Sequence, residues 1–428
     1  MSFILFSILG VLYFITCLFF SLDIIYVLFL IVSLSQLIVV NESKLKYESP
    51  ILWYSTAVYF YHFSSLFLAT VGYYQFENAL ESSIIYGIIY YSSVAPLFFC
   101  RKSSIDNQIL DRFDLFFEKN TIFITYLIFM VLTILSNVFF FKSGFSNKGE
   151  AILSGGTRFN FIYNWASLFT LLFIIRYRDS KLYLYAMVFS FILFLFTSLN
   201  TGERNVVLSY TLSVIILLVV FNKITRQKSI IFFILAASCI PILQELKTVF
   251  AKDLGDIIAH RDSIPFYVKL LQGEFRSASR NIDWLLSRES SYDISYGLNL
   301  IKDILVGFSP ISTGILNSQT WFNNTFFSEV VATGQGYGFS LYGSFYIAFY
   351  WPGLVIISII YSCTIVMIYN NAKDNIFLFL LSILMITPLI YAQRGDLSVV
   401  LSFMIKQNLL PLIIVYLFSR LFRRVFSS

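Results

Sequence analysis

Apolar residues fill most of the chain in runs of about 17 to 25, each ended by a short polar turn, which is the length a helix needs to cross a bilayer. Such runs lie near residues 2–20, 24–40, 51–73, 82–100, 120–141, 160–176, 182–199, 205–221, 229–243, 341–369, 375–392 and 398–419. They predict an all-α polytopic membrane protein of about 12 transmembrane helices. Two runs are irregular. Residues 229–243 are short and meet Pro241, and 341–369 are long and contain Pro352-Gly353. Proline lacks the N–H a helix needs and its ring crowds the preceding turn, so the second run is expected to kink or split. One long stretch breaks the pattern, from Gln244 to Phe339, where charge and glycine replace the apolar runs. The expected organisation is therefore a bundle of about nine helices over 1–243, a long, partly helical loop over 244–340, and C-terminal helices with a basic tail over 341–428.

Composition supports membrane burial. The 428 residues are 58% hydrophobic and 13% charged, with a mean hydropathy of +0.77. A soluble domain carries about 25% charge. The runs are too long for barrel strands. The net charge of +6 does not call for nucleic acid, because the basic residues sit at the ends of the apolar runs. Cys17, Cys100, Cys239 and Cys363 all fall inside those runs, so neither a disulfide framework nor a cysteine metal site is expected. Met1–Phe20 has no basic start and no small-residue cleavage pattern, and reads as a retained helix. There is no G-x-x-x-x-G-K-[ST] loop and no D-x-D, and the D-x-x-D of Asp253 and Asp256 is too common to mark a metal. No cofactor and no metal are expected.

The basic residues alternate. One set of short loops, with the C-terminal tail, carries 16 Lys and Arg, among them Arg101, Lys102, Arg112, Arg176, Arg178, Lys223 and Arg423. The opposite set carries five: Lys142, Lys148, Arg158, Arg204 and Arg394. By the positive-inside bias both termini are cytoplasmic and the 244–340 loop faces outward. Nucleotide-activated substrates are absent there, so any transfer reaction must use a donor already activated in the membrane.

The candidate chemistry is basic. Read as a helix, Phe266–Arg288 places Phe275, Ala278, Ile282, Leu285 and Leu286 on one face, and Arg276, Arg280 and Asp283 on another. Two guanidiniums one turn apart can grip a phosphate bidentately. The same spacing suits a solvated face on which Arg280 and Asp283 merely pair. Glu274 lies off that face. Arg204, in Thr201-Gly202-Glu203-Arg204, and Arg158 open spans from the outer side, where an interfacial snorkelling role competes with a functional one. Arg394-Gly395-Asp396 precedes the last run, and Lys406 falls inside it; an intramembrane charge implies a cavity or a partner. His62 in the third run reads as a core histidine. His260 is more available but has no second histidine near it. Each signal is weak alone; five outer-face arginines together would suit a pyrophosphate at headgroup level.

At Gly336-Tyr337-Gly338-Phe339-Ser340, followed by Tyr346, Phe349 and Gly353, the chain resembles the Wzy-type O-antigen and capsule polymerases, which join oligosaccharide repeat units. It departs from the pattern at Ser344, where an acid is frequent, and at Tyr350, where glycine is usual. The Thr201–Arg204 turn, the Glu274/Arg276/Arg280 stretch and Arg394-Gly395-Asp396 are similar to the family as well. The resemblance implies a glycosyltransferase of the inner membrane, glycosyltransferase C-like by analogy. It would take undecaprenyl-pyrophosphate-linked glycans as donor and acceptor, with membrane lipid around it and a chain-length regulator as partner. Glu274, Arg276 and Arg280 become candidate catalytic residues, and Arg158, Arg204 and Arg394 candidates for pyrophosphate. His260, Gly338, Ser340, Tyr346, Asp396 and Lys406 become candidates for substrate binding. Two rivals stand beside this reading. A lipid-linked oligosaccharide flippase has a similar number of spans, but the long loop after the ninth breaks twofold symmetry. An O-antigen ligase shares topology and donor, but His260 lacks convincing surroundings for its histidine motif.

Overall fold

The computed structural model describes all residues except 20–23, 45, 47–48, 101–106, 144–159, 202–203, 226, 229–264, 266–267, 269–270, 272–274, 310–313, 333–335 and 427–428. Every described element is helical. The first half runs α1 (Ser2–Leu18), α2 (Ile24–Ser43), α3 (Pro50–Thr70), α4 (Ala79–Val94), α5 (Asn107–Phe116), α6 (Lys119–Ser143), α7 (Asn160–Arg176), α8 (Leu182–Thr201) and α9 (Arg204–Val220). The polar stretch contributes α10 (Arg276–Ser287), α11 (Leu298–Phe308), α12 (Ser318–Phe326) and α13 (Ser328–Ala332). The end of the chain forms α14 (Leu341–Asn371), α15 (Ile376–Leu384), α16 (Ile386–Tyr391), α17 (Leu397–Ser402), a π-helical stretch Phe403–Leu409 and α18 (Leu410–Phe426).

Among the described residues, six helices are long and apolar enough to cross a membrane, or seven if the bent pair Ile376–Leu384 and Ile386–Arg394 is one span. Three shorter apolar helices, Ser2–Leu18, Phe161–Arg176 and Asn205–Val220, match expected runs. The third run, α3, falls short of that apolarity for a physical reason: Ser55, His62, Ser64 and Ser65 are buried against other helices instead of facing lipid. The expected span at 229–243 lies outside the described residues.

Two apolar cores organise the bundle. The first joins α1–α4 with α10, both halves of α14 and parts of α15–α17, through Tyr13, Tyr54, Phe63, Tyr90, Ile282 and Phe345. The second joins α5–α9 with α15 and α18, through Phe113, Tyr163, Phe169, Tyr210, Phe379 and Leu412. α15 serves both, with Leu381 on one side and Phe379 and Leu380 on the other. The first core therefore draws on all three segments distinguished along the chain. At one end of the bundle Asp114 takes Arg176 and Arg178, each at 3.0 Å, and Arg423 donates to the Leu115 carbonyl. Basic residues from separate loops thus converge at one end, as alternation along the chain requires.

α10 is not a solvated helix on a loop. It lies between α3 and α4: the Phe275 ring meets Tyr61 at 5.0 Å, Ser279 bonds Ser65, and the Tyr86 hydroxyl donates to the Ser279 carbonyl at 2.7 Å. Its apolar face is the one expected, with Ala278, Ile282, Leu285 and Leu286 buried.

α14 breaks at Phe349 and Tyr350, where Tyr350 has φ 54° and ψ −149°, just before Pro352. The two halves fold back on each other. The Phe345 and Tyr361 rings are 6.2 Å apart, whereas 16 residues of straight helix would separate them by about 24 Å. Tyr54 touches both halves, sharing a 2.8 Å hydrogen bond with Tyr342 and lying 6.2 Å from Tyr361. The half-helix Leu341–Ala348 is buried along its whole length. The break frees carbonyls at its end, and the preceding loop satisfies them: Ser295 N–H donates to Ile347 at 3.0 Å, Gly297 N–H to Ala348 at 3.2 Å, and Asn299 Nδ2 to Ser344 at 2.9 Å. The expected split at Pro352-Gly353 is present; the fold-back is new.

Candidate functional site

The site forms where α10, the glycine-rich segment before α14, and the turn after α16 meet. α10 starts at Arg276, and Arg276 and Arg280 point off the same face, one turn apart. Both are partly buried, and among the described residues neither forms an ion pair. The Arg276 guanidinium lies 5.7 Å from the Tyr74 ring centre and that of Arg280 5.8 Å from Tyr337. Burial first, and the charge of Arg280 second, push the Arg276 pKa below its usual value. Two like charges held together in partial burial raise each other's energy, and a bound anion would relieve both terms.

Asp283, the acid expected to pair with Arg280, is engaged elsewhere. It is 2% exposed and accepts from the Tyr74 hydroxyl at 2.8 Å, the Ser82 hydroxyl at 2.7 Å, Glu77 N–H at 3.0 Å and Asn78 N–H at 3.1 Å. It thus holds the turn that starts α4 and fixes α10 to it, leaving the two arginines without the expected neutralising partner. Burial and the adjacent Asp283 charge raise the Tyr74 pKa.

The glycine-rich segment is clamped from both sides. Asn323 of α12 accepts from Tyr337 N–H at 2.7 Å and donates to the Tyr337 carbonyl at 2.9 Å, and Asn281 of α10 donates to the Gly338 carbonyl. Gly338 packs so closely on Arg394 that a Cβ there would stand 2.7 Å from the Arg394 carbonyl oxygen and 2.9 Å from Nε. That contact explains the glycine and joins Arg394 to the Arg280–Tyr337 neighbourhood. The Arg394 guanidinium lies 5.4 Å from the Tyr391 ring. Ser340 follows, fully buried, at the start of the half-helix Leu341–Ala348; its hydroxyl has no hydrogen-bond partner among the described residues and makes no cap. The first N–H groups of that half-helix add positive potential beside Arg394.

Other candidates fall in different places. Tyr346, 8% exposed, donates to Glu289 at 3.0 Å, a carboxylate the sequence reading did not single out. Asp396 is fully buried: its oxygens accept from Gln319 N–H at 2.8 Å, the Ser398 hydroxyl at 2.6 Å and Val399 N–H at 3.1 Å. Asp303 of α11 joins it at the N-terminus of α12, accepting from Ser318 N–H at 2.7 Å. Burial, then the charge of Asp396, raises the Asp303 pKa to about 8. These acids fasten α11, α12 and α17 together; their oxygens face backbone and hydroxyl donors. Lys406 donates to the Val306 carbonyl at 2.9 Å, capping the last turn of α11 with a positive charge, which accounts for a lysine inside the last span. His62 is fully buried, with the Tyr342 ring at 5.0 Å and Gln393 beside it. Arg204 opens α9, which packs on α16, the helix leading to Arg394; its side chain is not described. Arg158, His260 and Glu274 lie outside the described residues. Asn281, Asn323 and Tyr74, which position the arginines and glycines, carry no sequence signal of their own, since their partners are 14 to 209 residues away.

The described residues form an all-helical bundle with several membrane-spanning helices, and Arg280 and Arg394 meet in it around Tyr337 and Gly338. Residues 274–424 match the family model for the O-antigen polysaccharide polymerase Wzy, from the start of the arginine helix to α18. That match is a likeness to Wzy-type polymerases over about a third of the chain. No curated protein and no solved structure matches the chain.

Proposed function

We propose that this protein polymerises undecaprenyl-pyrophosphate-linked repeat units into O-antigen or capsular polysaccharide on the outer face of the bacterial inner membrane, with both termini cytoplasmic. The observation that carries this reading is the pair Arg276 and Arg280, partly buried, one turn apart and without an ion-pair partner among the described residues, next to Arg394 and Gly338. In the reaction, a hydroxyl oxygen of the acceptor's non-reducing sugar attacks the anomeric carbon of the donor glycan. The bond from that carbon to the pyrophosphate oxygen breaks, and its electron pair leaves with undecaprenyl pyrophosphate. Arg276, Arg280 and Arg394 stabilise the charge that develops on the leaving group, and Arg158 and Arg204 are further candidates for it from the sequence. A carboxylate takes the hydroxyl proton. Glu274 is the candidate from the sequence, and Glu289, already hydrogen-bonded to Tyr346, is the described alternative. Gly338, Ser340 and Tyr346 shape the acceptor side together with His260; Asp396 and Lys406 act through the helices they fasten. A chain-length regulator docks on the assembled enzyme.

The test is the surface glycan of a strain lacking the gene, complemented with wild type or with Arg280→Ala. A single repeat unit on the acceptor lipid in the deletion, and restored polymer only with wild type, is the expected result. Repeat units trapped inside the cell would mean a flippase. Polymer made but not joined to its acceptor would mean a ligase.

A further inference from the structure

Near the arginine site the structure contains an almost wholly apolar, partly open cavity of about 260 Å³. Phe345 of the half-helix and Leu397 line it toward the site; Ile357, Met385 and Tyr369 continue it, and Pro50 closes the far end. Leu397 is three residues from Arg394, so the cavity and the anion site adjoin. α14 lines it from Ile357 to Tyr369, about 18 Å of helix rise. That exceeds one leaflet's half of a hydrocarbon core about 30 Å thick. An extended phospholipid acyl chain covers about one leaflet, which is less than this length of lined helix. Its walls offer water too few partners to hold it in place.

We propose that this furrow is the seat of the polyisoprenoid chain of the lipid-linked donor, whose pyrophosphate lies on Arg276, Arg280 and Arg394. The inference rests on the donor reading above and adds where the lipid lies. An arginine cluster at one end and an apolar furrow longer than a leaflet at the other complement a ligand with an anionic head and a very long tail. The fold-back of α14 makes the furrow: Phe345 would otherwise stand far from Tyr361, and both line it.

The full-length protein in nanodiscs is labelled with a polyprenyl pyrophosphate carrying a photoreactive group near its far end. Labelling within 357–369 and at Met385, displaced by unlabelled polyprenyl pyrophosphate and not by excess diacyl phospholipid, is expected. Saturable labelling elsewhere overturns the furrow and leaves the donor reading standing. Absence of saturable labelling overturns both. Labelling of the furrow by a photoreactive phospholipid that polyprenyl pyrophosphate fails to displace identifies it as a bulk-lipid surface and overturns the inference. A second variant is read kinetically. Thr364→Phe, at the mouth of the furrow, should raise KM for a long-chain donor at least 10-fold and leave a donor of two or three isoprene units unchanged. An equal effect on both donors contradicts the assignment.

Discussion

Asp283 and Ser82, 201 residues apart in sequence, are joined by a 2.7 Å hydrogen bond that locks the arginine helix to the start of α4. Three further donors converge on the same carboxylate. Removing it would strand two backbone N–H groups and two hydroxyls in a buried place. Asp283→Ala should cost about 3 to 5 kcal/mol, as breaking a buried charged network does. Thermal unfolding of the purified protein in detergent checks this, and a midpoint within a degree of wild type would refute it.

The arginines should behave differently, losing activity without losing the fold. Each Arg→Ala change at 276, 280 or 394 removes a charge-assisted contact of roughly 2 to 4 kcal/mol, or about 30- to 1000-fold in rate. Arg280→Lys keeps the charge and loses the two-pronged geometry, so it should stay impaired. Polymer ladders at matched protein level provide the measurement. Normal ladders from all three alanine variants would reduce these residues to a solvated face.

Asp303 and Asp396 share the N-terminus of α12; burial raises the pKa of both, and the charge of Asp396 adds to the rise at Asp303. Asp303 moves from 3.8 to about 8, so the folded protein binds more protons than the unfolded chain between those values. An acid raised in this way contributes stability at low pH that is lost as pH climbs through the folded pKa. Unfolding temperature should therefore fall between about pH 5 and pH 8. Asp303→Asn should flatten that slope; a variant with the wild-type slope would exclude the pair as its source.

Gly297 has φ +83°, and a Cβ there would stand 2.8 Å from the Phe349 ring at the break in α14. Gly297→Ala combines left-handed strain with a clash, together about 2 to 4 kcal/mol. Pro352→Ala should cost less, because the loop still satisfies the freed carbonyls. Protease resistance of the two purified variants would rank them, and the reverse order would contradict this account of the break.

Orientation is tested by single cysteines. One at Tyr296 or Glu329 should react with an impermeant thiol reagent from outside, and one at Asp111 should not. Inverted labelling would move the arginine site to the cytoplasm and end the polymerase reading.

Much of this architecture is visible in the apolar runs, because lipid demands long uninterrupted helices and six of them are present as such. The arginine pair is visible too, since i and i+4 fix two side chains on one face whatever the helix packs against. What fails is anything decided between distant segments. Arg280 and Asp283 sit at ideal local spacing, yet backbone N–H groups of Glu77 and Asn78 take the carboxylate. Hydropathy also carries no direction, so the run beginning at Leu341 shows where it splits, at Pro352-Gly353, but not that its first turns lie alongside its later ones. Asp396 resembles an exposed motif until α12 folds over it from 77 residues away.

The hydrogen bonds from Ser295, Gly297 and Asn299 to the half-helix have a mechanical consequence. Residues 295–299 and the half-helix are tied into one unit that ends at the backbone break at Phe349 and Tyr350. A push on residues 295–299 would tilt Leu341–Ala348 and press Gly338 along Arg394. A displacement at residues 295–299 would thereby be passed to the half-helix and to Gly338, which rests on Arg394.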